Sequence, residues 1–159
     1  MESDPTLKTG ITLFNQGDYY ACHDVLEAIW MEAKTQEKPF YQGILQIAVG
    51  LYHLGNHNWQ GASILLGEGV NRLRPFEPTY AGVAVAPLVD CGWAWLTALQ
   101  QTGPDQVAAL AAAIASAQVD DIAVPNPTQQ TITWSVNNQT LSLPVLYIQK
   151  EERRGKNEE

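Results

Sequence analysis

Positive charge is missing from nearly half of this chain: between Pro75 and Gln149 there is neither Lys nor Arg. Nucleic-acid binding depends on basic side chains that neutralise phosphates, so this half contributes nothing to it. The basic residues of the C-terminal KEERRGKNEE alternate with Glu and read as a solvated tail. With a formal net charge of −8, nucleic acid is not an expected partner.

Other absences narrow the field further. The two cysteines, Cys22 and Cys91, lie far apart and fit no CxxC or zinc-type spacing. They are expected as buried small apolar residues in a reducing compartment, not as a disulfide framework. A clean apolar run long enough to cross a bilayer is also lacking. The best candidate, Ala81 to Leu99, is broken by Pro87, Asp90 and Gly92 and has no basic flank between Arg74 and Lys150, whereas a span wants about 20 apolar residues with basic borders. The start, MESDPTLKTG, has no charged-then-apolar signal architecture. A soluble cytoplasmic protein with no membrane partner is the expectation. There is no Gly-rich phosphate loop, nucleophile elbow or HExxH motif, and Ser63, Ser116, Ser135 and Ser142 have no evident general base.

What is present is a core-forming chain. At 159 residues and 45% hydrophobic content, it suits one globular domain. Breakers and caps divide it into helices. A first helix spans 6–16 and stops at Gly17, and a second runs from Asp18 or Tyr19 to Lys34. Pro39 opens a third that reaches Gly55. A fourth covers 58–74, closed by Pro75 and Pro78; a fifth runs from Pro87 to near Gln101; an alanine-rich sixth spans 105–117. VPNPTQQ then reads as a linker, and TITWSV, Asn137-Asn138 and QTLSLP read as a small β-hairpin or an extended arm packed on the helices. The expected division is a helical domain over 1–121, the arm over 122–149 and a disordered charged tail over 150–159. The fold class is all-α: a compact bundle of five or six helices built from helical hairpins.

A faint internal echo supports the hairpins. LFNQGDYY from Leu13 and LYHLGNHN from Leu51 share Leu-aromatic-x-x-Gly-(Asp/Asn) at an offset of 38 residues. Each puts a glycine where a left-handed C-cap would end one helix. FNQGDY also has a tetratricopeptide flavour, but two units fall short of a solenoid.

The polar residues that carry chemistry concentrate on helices 2 and 3. On a wheel turning 100° per residue, Gln42, Gln46, Val49, His53 and Asn56 share one stripe of helix 3, and Phe40, Ile44, Ile47 and Leu51 take the other side. Lys38 and Glu68 bracket a stretch without Asp, Glu, Lys or Arg, so helix 3 is expected to be buried and its stripe hydrogen-bonded. On helix 2, His23, Glu27 and Trp30 share a face, with Asp24 at its margin. Meeting of the two faces predicts a polar cluster of His23, Asp24, Glu27, Trp30, Gln42, Gln46 and His53. Two His and a carboxylate are also a ligand set for a divalent metal, here His23, Glu27 and His53. The five tryptophans, Trp93 and Trp95 included, are expected in packing roles, and His57 on the surface.

FNQGDYYACHDVLEAIWMEA and FYQGILQIAVGLYHLGNHNWQGASILLGEGVNRL together resemble the signature stretches of the domain of unknown function 309 family, over roughly residues 10–100. The resemblance implies a compact helical fold and names no reaction. Its matched polar positions are His23, Glu27, Trp30, Gln42, Gln46 and His53, and the family commonly has His-Glu where this chain has His23-Asp24.

Two functions from different classes then compete. One is a non-enzymatic interaction or assembly domain that self-associates, suggested by a second half too sparsely charged for a fully solvated surface. The other is a metal-binding protein or metal-dependent hydrolase, with His23, Glu27 and His53 on the ion, Gln42 and Gln46 as supporting donors, and Asp24 or Glu27 as base.

Overall fold

A computed structural model describes residues 5–116, 131–136, 139–144 and 147–149. Six helices follow one another: α1 (Pro5–Asn15), α2 (Tyr19–Glu32), α3 (Lys38–Gly55), α4 (Trp59–Leu73), α5 (Val85–Thr102) and α6 (Val107–Ser116). Short 3-10 turns, Arg74–Phe76 and Pro104–Gln106, follow α4 and precede α6. A small hairpin, β1 (Thr79–Tyr80) with β2 (Val83–Ala84), precedes α5. A second antiparallel pair, β3 (Thr131–Val136) with β4 (Gln139–Pro144), has Val136 opposite Gln139. The architecture is therefore the expected all-α bundle with a small β-hairpin. The linker VPNPTQQ, Asn137-Asn138 and the charged tail lie outside the described residues, as do the side chains of Trp134, Ser116, Ser135 and Ser142.

The first four helices form two hairpins closed in the same way. In the first, Gly17 N–H donates to Phe14 O at 3.0 Å and Asp18 N–H donates to Leu13 O at 2.9 Å. In the second, His57 N–H donates to Leu54 O at 2.9 Å and Asn58 N–H donates to His53 O at 2.8 Å. These are the paired bonds of a Schellman cap, and each needs a left-handed residue. The next helix begins at once, because Asp18 Oδ1 accepts from Ala21 N–H at 3.4 Å and Asn58 Oδ1 accepts from Gly61 N–H at 3.0 Å. The left-handed residues are Gly17 (φ 84°) and His57 (φ 62°), 40 positions apart. That corrects the expected echo: Gly55 is the last residue of α3, and the frame is set by the capping Asp18 and Asn58.

In the 40-residue frame the buried positions coincide. Leu7, Gly10, Ile11 and Phe14 of α1 answer to Ile47, Gly50, Leu51 and Leu54 of α3, and Cys22 and Leu26 of α2 answer to Ala62 and Leu66 of α4; all are buried. A Cβ on Gly10 would lie 3.6 Å from Leu26, and one on Gly50 would lie 3.2 Å from Leu66 Cγ. Gly50 lets Leu66 close over α3, whereas at Gly10 a Cβ would make only ordinary contact.

The second hairpin is the tighter. A Cβ on Gly69 of α4 would stand 2.8 Å from Gly43 O and 3.0 Å from Ile47 N, both backbone atoms of α3. One on Gly43 would stand 2.7 Å from Leu73 Cγ. Leu73, Ile47, Leu66 and Val70 fill the seam, and α5 closes the far side of α4 with Leu88, Trp95, Leu96 and Leu99, all buried. Gly92 brings α5 close to Val70.

Helix α5 starts at Val85, earlier than Pro87 predicts. Its first N–H groups are satisfied from outside: Pro78 O accepts from Val85 at 2.8 Å and from Ala86 at 3.1 Å. Ala81 and Gly82, both at positive φ, make the intervening turn. The C-terminal segment is tied down by one side chain. Asn15, 3% exposed, donates from Nδ2 to Ile148 O at 3.1 Å and accepts from Ile148 N–H at 2.8 Å. Ala84 N–H donates to Gln149 O at 2.9 Å. Cys22 and Cys91 are buried thiols outside any disulfide, and burial pushes them up to about 12 and about 11, as expected of inert packing residues. Trp95 is likewise core, but Trp93 is half exposed, which corrects its expected packing role. No helix among the described residues is long and apolar enough to cross a membrane.

Two stability predictions follow from the helix seams and caps. Gly69→Ala drives a methyl into the α3 backbone and lowers unfolding free energy by about 1–3 kcal/mol. Gly67→Ala meets only Leu96 Cδ2, at 3.6 Å, and is neutral or stabilising by up to ~1 kcal/mol through helix propensity. Urea melts of both variants check the contrast. At the caps, Gly17→Ala destabilises by about 1 kcal/mol, whereas His57→Gly relieves left-handed strain and stabilises by up to ~1 kcal/mol. Equal loss in the two cap variants would show that the hairpins are not closed alike.

Candidate functional site

Helix α2 places Tyr20, His23 and Glu27 along one side, three and four residues apart. His23 Nδ1 lies 3.2 Å from Asp24 Oδ1, and ligand-type atoms of His23, Asp24 and Glu27 all fall within 4.8 Å of one another. His23 is partly buried; Asp24 and Glu27 are exposed.

From α3, Val49, Tyr52 and His53 face this side of α2. Tyr20 and Tyr52 meet edge to face with ring centroids 5.3 Å apart. Tyr20 lies 6.0 Å from the His23 ring and Tyr52 lies 6.2 Å from the His53 ring. Between the two helices is a cavity of about 140 Å³ lined by Tyr19, Tyr20, His23, Val49, Tyr52 and His53. The His53 ring is fixed from behind. Its Nδ1 lies 3.4 Å from Asn58 Nδ2, and a Cβ on Gly61 would stand 3.0 Å from the ring. An amide nitrogen only donates, so His53 Nδ1 accepts and Nε2 carries the proton of the neutral ring.

The sequence-derived cluster is thus partly assembled. His23, Asp24 and Glu27 come together, and His53 joins His23 across the cavity but is not in the three-residue ligand group. Gln46 goes elsewhere. Its Nε2 donates to Glu68 Oε1 at 3.0 Å and its Oε1 accepts from Arg72 Nε at 3.0 Å, so its partners are on α4 and not on α2. The amide bridges a carboxylate and a guanidinium that stand four residues apart, and each end of it has a charged partner. Gln42 is half-buried one turn nearer the start of α3. Trp30 serves the α2–α3 turn: Lys38 Nζ sits 4.3 Å from the centre of its ring and donates to Trp30 O at 2.8 Å and Met31 O at 3.3 Å. That ammonium satisfies last-turn carbonyls of α2. His57 is exposed, as expected. A wider depression of about 440 Å³ at the far end of α2, with Glu32, Lys34, Glu37 and Tyr41 among its lining residues, touches none of the cavity's residues.

Tyr19, Tyr20 and Tyr52 were not among the sequence-derived candidates. Their signal was present, since Tyr20 precedes His23 by three residues and Tyr52 adjoins His53, but tyrosines at helical spacing are ordinary packing residues in most helices.

The separation of Gln46 from α2 is measurable by double-mutant cycles. Gln46→Leu is expected to couple to Arg72→Met by about 1 kcal/mol and to His23→Leu by nothing beyond error. Coupling to His23 instead would restore a single cluster between α2 and α3.

Comparison with known proteins bears on the first two hairpins. The uncharacterized protein YpuF of Bacillus subtilis (strain 168) is 36% identical over 58 residues, which are 36% of this chain and 33% of that protein. The chain thus matches about a third of that relative's length. No solved structure matches. The family model described as "Domain of unknown function (DUF309)" matches residues 7–65, a shorter stretch than the 10–100 of the sequence resemblance. The stretch that matches this model, residues 7–65, runs from α1 into α4 and includes every residue that lines the cavity.

Proposed function

We propose that this chain is a helical interaction domain that self-associates through the surface around Trp93 on α5. The observation that carries the reading is the indole itself, 51% exposed. Trp and Arg are among the side chains most often found at the energetic centre of protein interfaces. Here they occur together: the Arg74 guanidinium lies 5.7 Å from the centre of the Trp93 ring.

Electrostatics support a second copy as the partner. From Pro75 to Gln149 the only charged residues are Glu77, Asp90, Asp105, Asp120 and Asp121. All five are acidic, but they are sparse, so burying this surface against a second copy desolvates few ionised groups. Buried thiols at Cys22 and Cys91, with no disulfide, suit a reducing cytoplasmic setting.

Light scattering at micromolar to tens of micromolar concentration is expected to give a dimer or higher oligomer for the parent. Trp93→Ser is expected to give a monomer with unchanged helical content and stability within about 1 kcal/mol. Tyr20→Ser, at an exposed aromatic residue of α2, should leave the oligomer intact. A monomeric parent overturns the proposal.

A further inference from the structure

The α2–α3 cavity has a composition that selects for one kind of ligand. Tyr19, Tyr20, Tyr52, His23 and His53 supply rings, Val49 completes the wall, and none of the lining residues is Lys or Arg. At about 140 Å³ it is far below the ~300–1,000 Å³ of a drug-sized site and suits one compact head group. Negative charge adjoins one of its lining residues: Asp24 Oδ1 is 3.2 Å from His23 Nδ1, and a Glu27 carboxylate oxygen lies within 4.8 Å of the ligand-type atoms of the other two. Apolar walls with little to hydrogen-bond a ligand disfavour a primary ammonium or a hydroxyl, whose donors would be stranded. Aromatic rings beside carboxylates attract a cation that has no N–H to satisfy.

We propose that this cavity is a binding site for a quaternary alkylammonium group, with the tyrosines as its aromatic walls and Asp24 and Glu27 as counter-charges. The site lies apart from Trp93, so it goes beyond the self-association proposed above and stands or falls separately. The group could arrive on a free small molecule or on a trimethylated lysine of a protein; both present the same trimethylammonium head.

Isothermal titration of the full chain tests this with choline beside 3,3-dimethylbutan-1-ol, its neutral isostere, and with a trimethyllysine peptide beside the same peptide bearing lysine. Choline is expected to bind at least tenfold more tightly than the isostere. Tyr52→Phe should keep that preference, Tyr52→Leu should lower choline affinity at least tenfold, and Asp24→Asn with Glu27→Gln should lower it several-fold. Both tyrosine variants alter an exposed ring, and circular dichroism confirms that they fold. A peptide that exceeds choline assigns the protein-borne source, and the reverse assigns the free one. Equal binding of choline and isostere would mark a merely apolar cavity and overturn the proposal. So would the absence of heat with either trimethylammonium probe, or zinc retained by protein purified without chelator and lost in His23→Ala, since a metal would then own the carboxylates.

Discussion

The structure depends on how closely α3 and α4 approach. Four glycines, Gly43 and Gly50 on α3 and Gly61 and Gly69 on α4, stand where a Cβ would meet the partner helix at 3.3 Å or less. In a solvated helix each of these glycines would cost about 1 kcal/mol relative to alanine. Here the shortened distance lets Ile47, Leu66, Val70 and Leu73 interdigitate with full burial, which at about 25 cal/mol per Å² outweighs the propensity loss. The seam also fixes what lies beyond it. The His53 ring rests against Gly61, and Gln46 reaches Glu68 and Arg72 because α4 is so near. A seam relaxed by one methyl would therefore move a wall of the cavity as well as cost stability.

The two hairpins share a frame but not a chemistry. In the 40-residue correspondence, His23 answers to Ser63 and Glu27 answers to Gly67. The second hairpin has thus given its equivalent positions to packing: a Cβ on Gly67 would meet Leu96 of α5, and Ser63 Oγ is buried without a hydrogen-bond partner among the described residues. The first hairpin kept polar groups at these positions because α2 has solvent beside them and α3 beyond. The cavity accordingly falls at the junction of the hairpins, where Tyr20 of one meets Tyr52 of the other.

Much of this could be read from the sequence, and the unread part has a consistent cause. Helix limits follow from local chemistry, so Asp18, Gly17, Pro39 and Asn58 marked them within a residue or two. Burial of the Phe40, Ile44, Ile47 and Leu51 side of α3 was also legible, but of the polar stripe only Gln46 is buried, while Gln42, Val49 and His53 are half-buried and Asn56 is exposed. A helical wheel, however, gives an angle and not a neighbour. Gln46 lies on the predicted stripe and is 8% exposed, yet its side chain turns to α4. The matching signal was the Glu68/Arg72 pair four residues apart on α4, which reads as an ordinary surface pair until α3 is beside it. His57 was missed as the left-handed residue for a related reason, because glycine is the usual bearer and Gly55 stood two positions away. Trp93 was misplaced because Trp95 and Trp93 project to different sides of α5, and composition alone weights both toward the core.

The distribution of positive charge completes the physical picture. Within the described residues the basic side chains are Lys8, Lys34, Lys38, Arg72 and Arg74. Three have defined tasks: Lys38 closes the C-terminal turn of α2 over Trp30, Arg72 holds Gln46, and Arg74 lies over Trp93. None lines the α2–α3 cavity, and no Lys or Arg forms an ion pair with Asp or Glu among the described residues. Asp24 and Glu27 are left with a histidine as their near neighbour, exposed and unneutralised by any fixed cation. In water such carboxylates interact weakly at a distance, since the Debye length is about 8 Å at physiological ionic strength. Over the few ångströms around His23 the same charges are little screened and favour a cation at close range. The packing that used glycines to bring α3 against α4, and lysine and arginine to finish the helix ends, thus leaves one face of the domain with rings and negative charge and nothing to offset them.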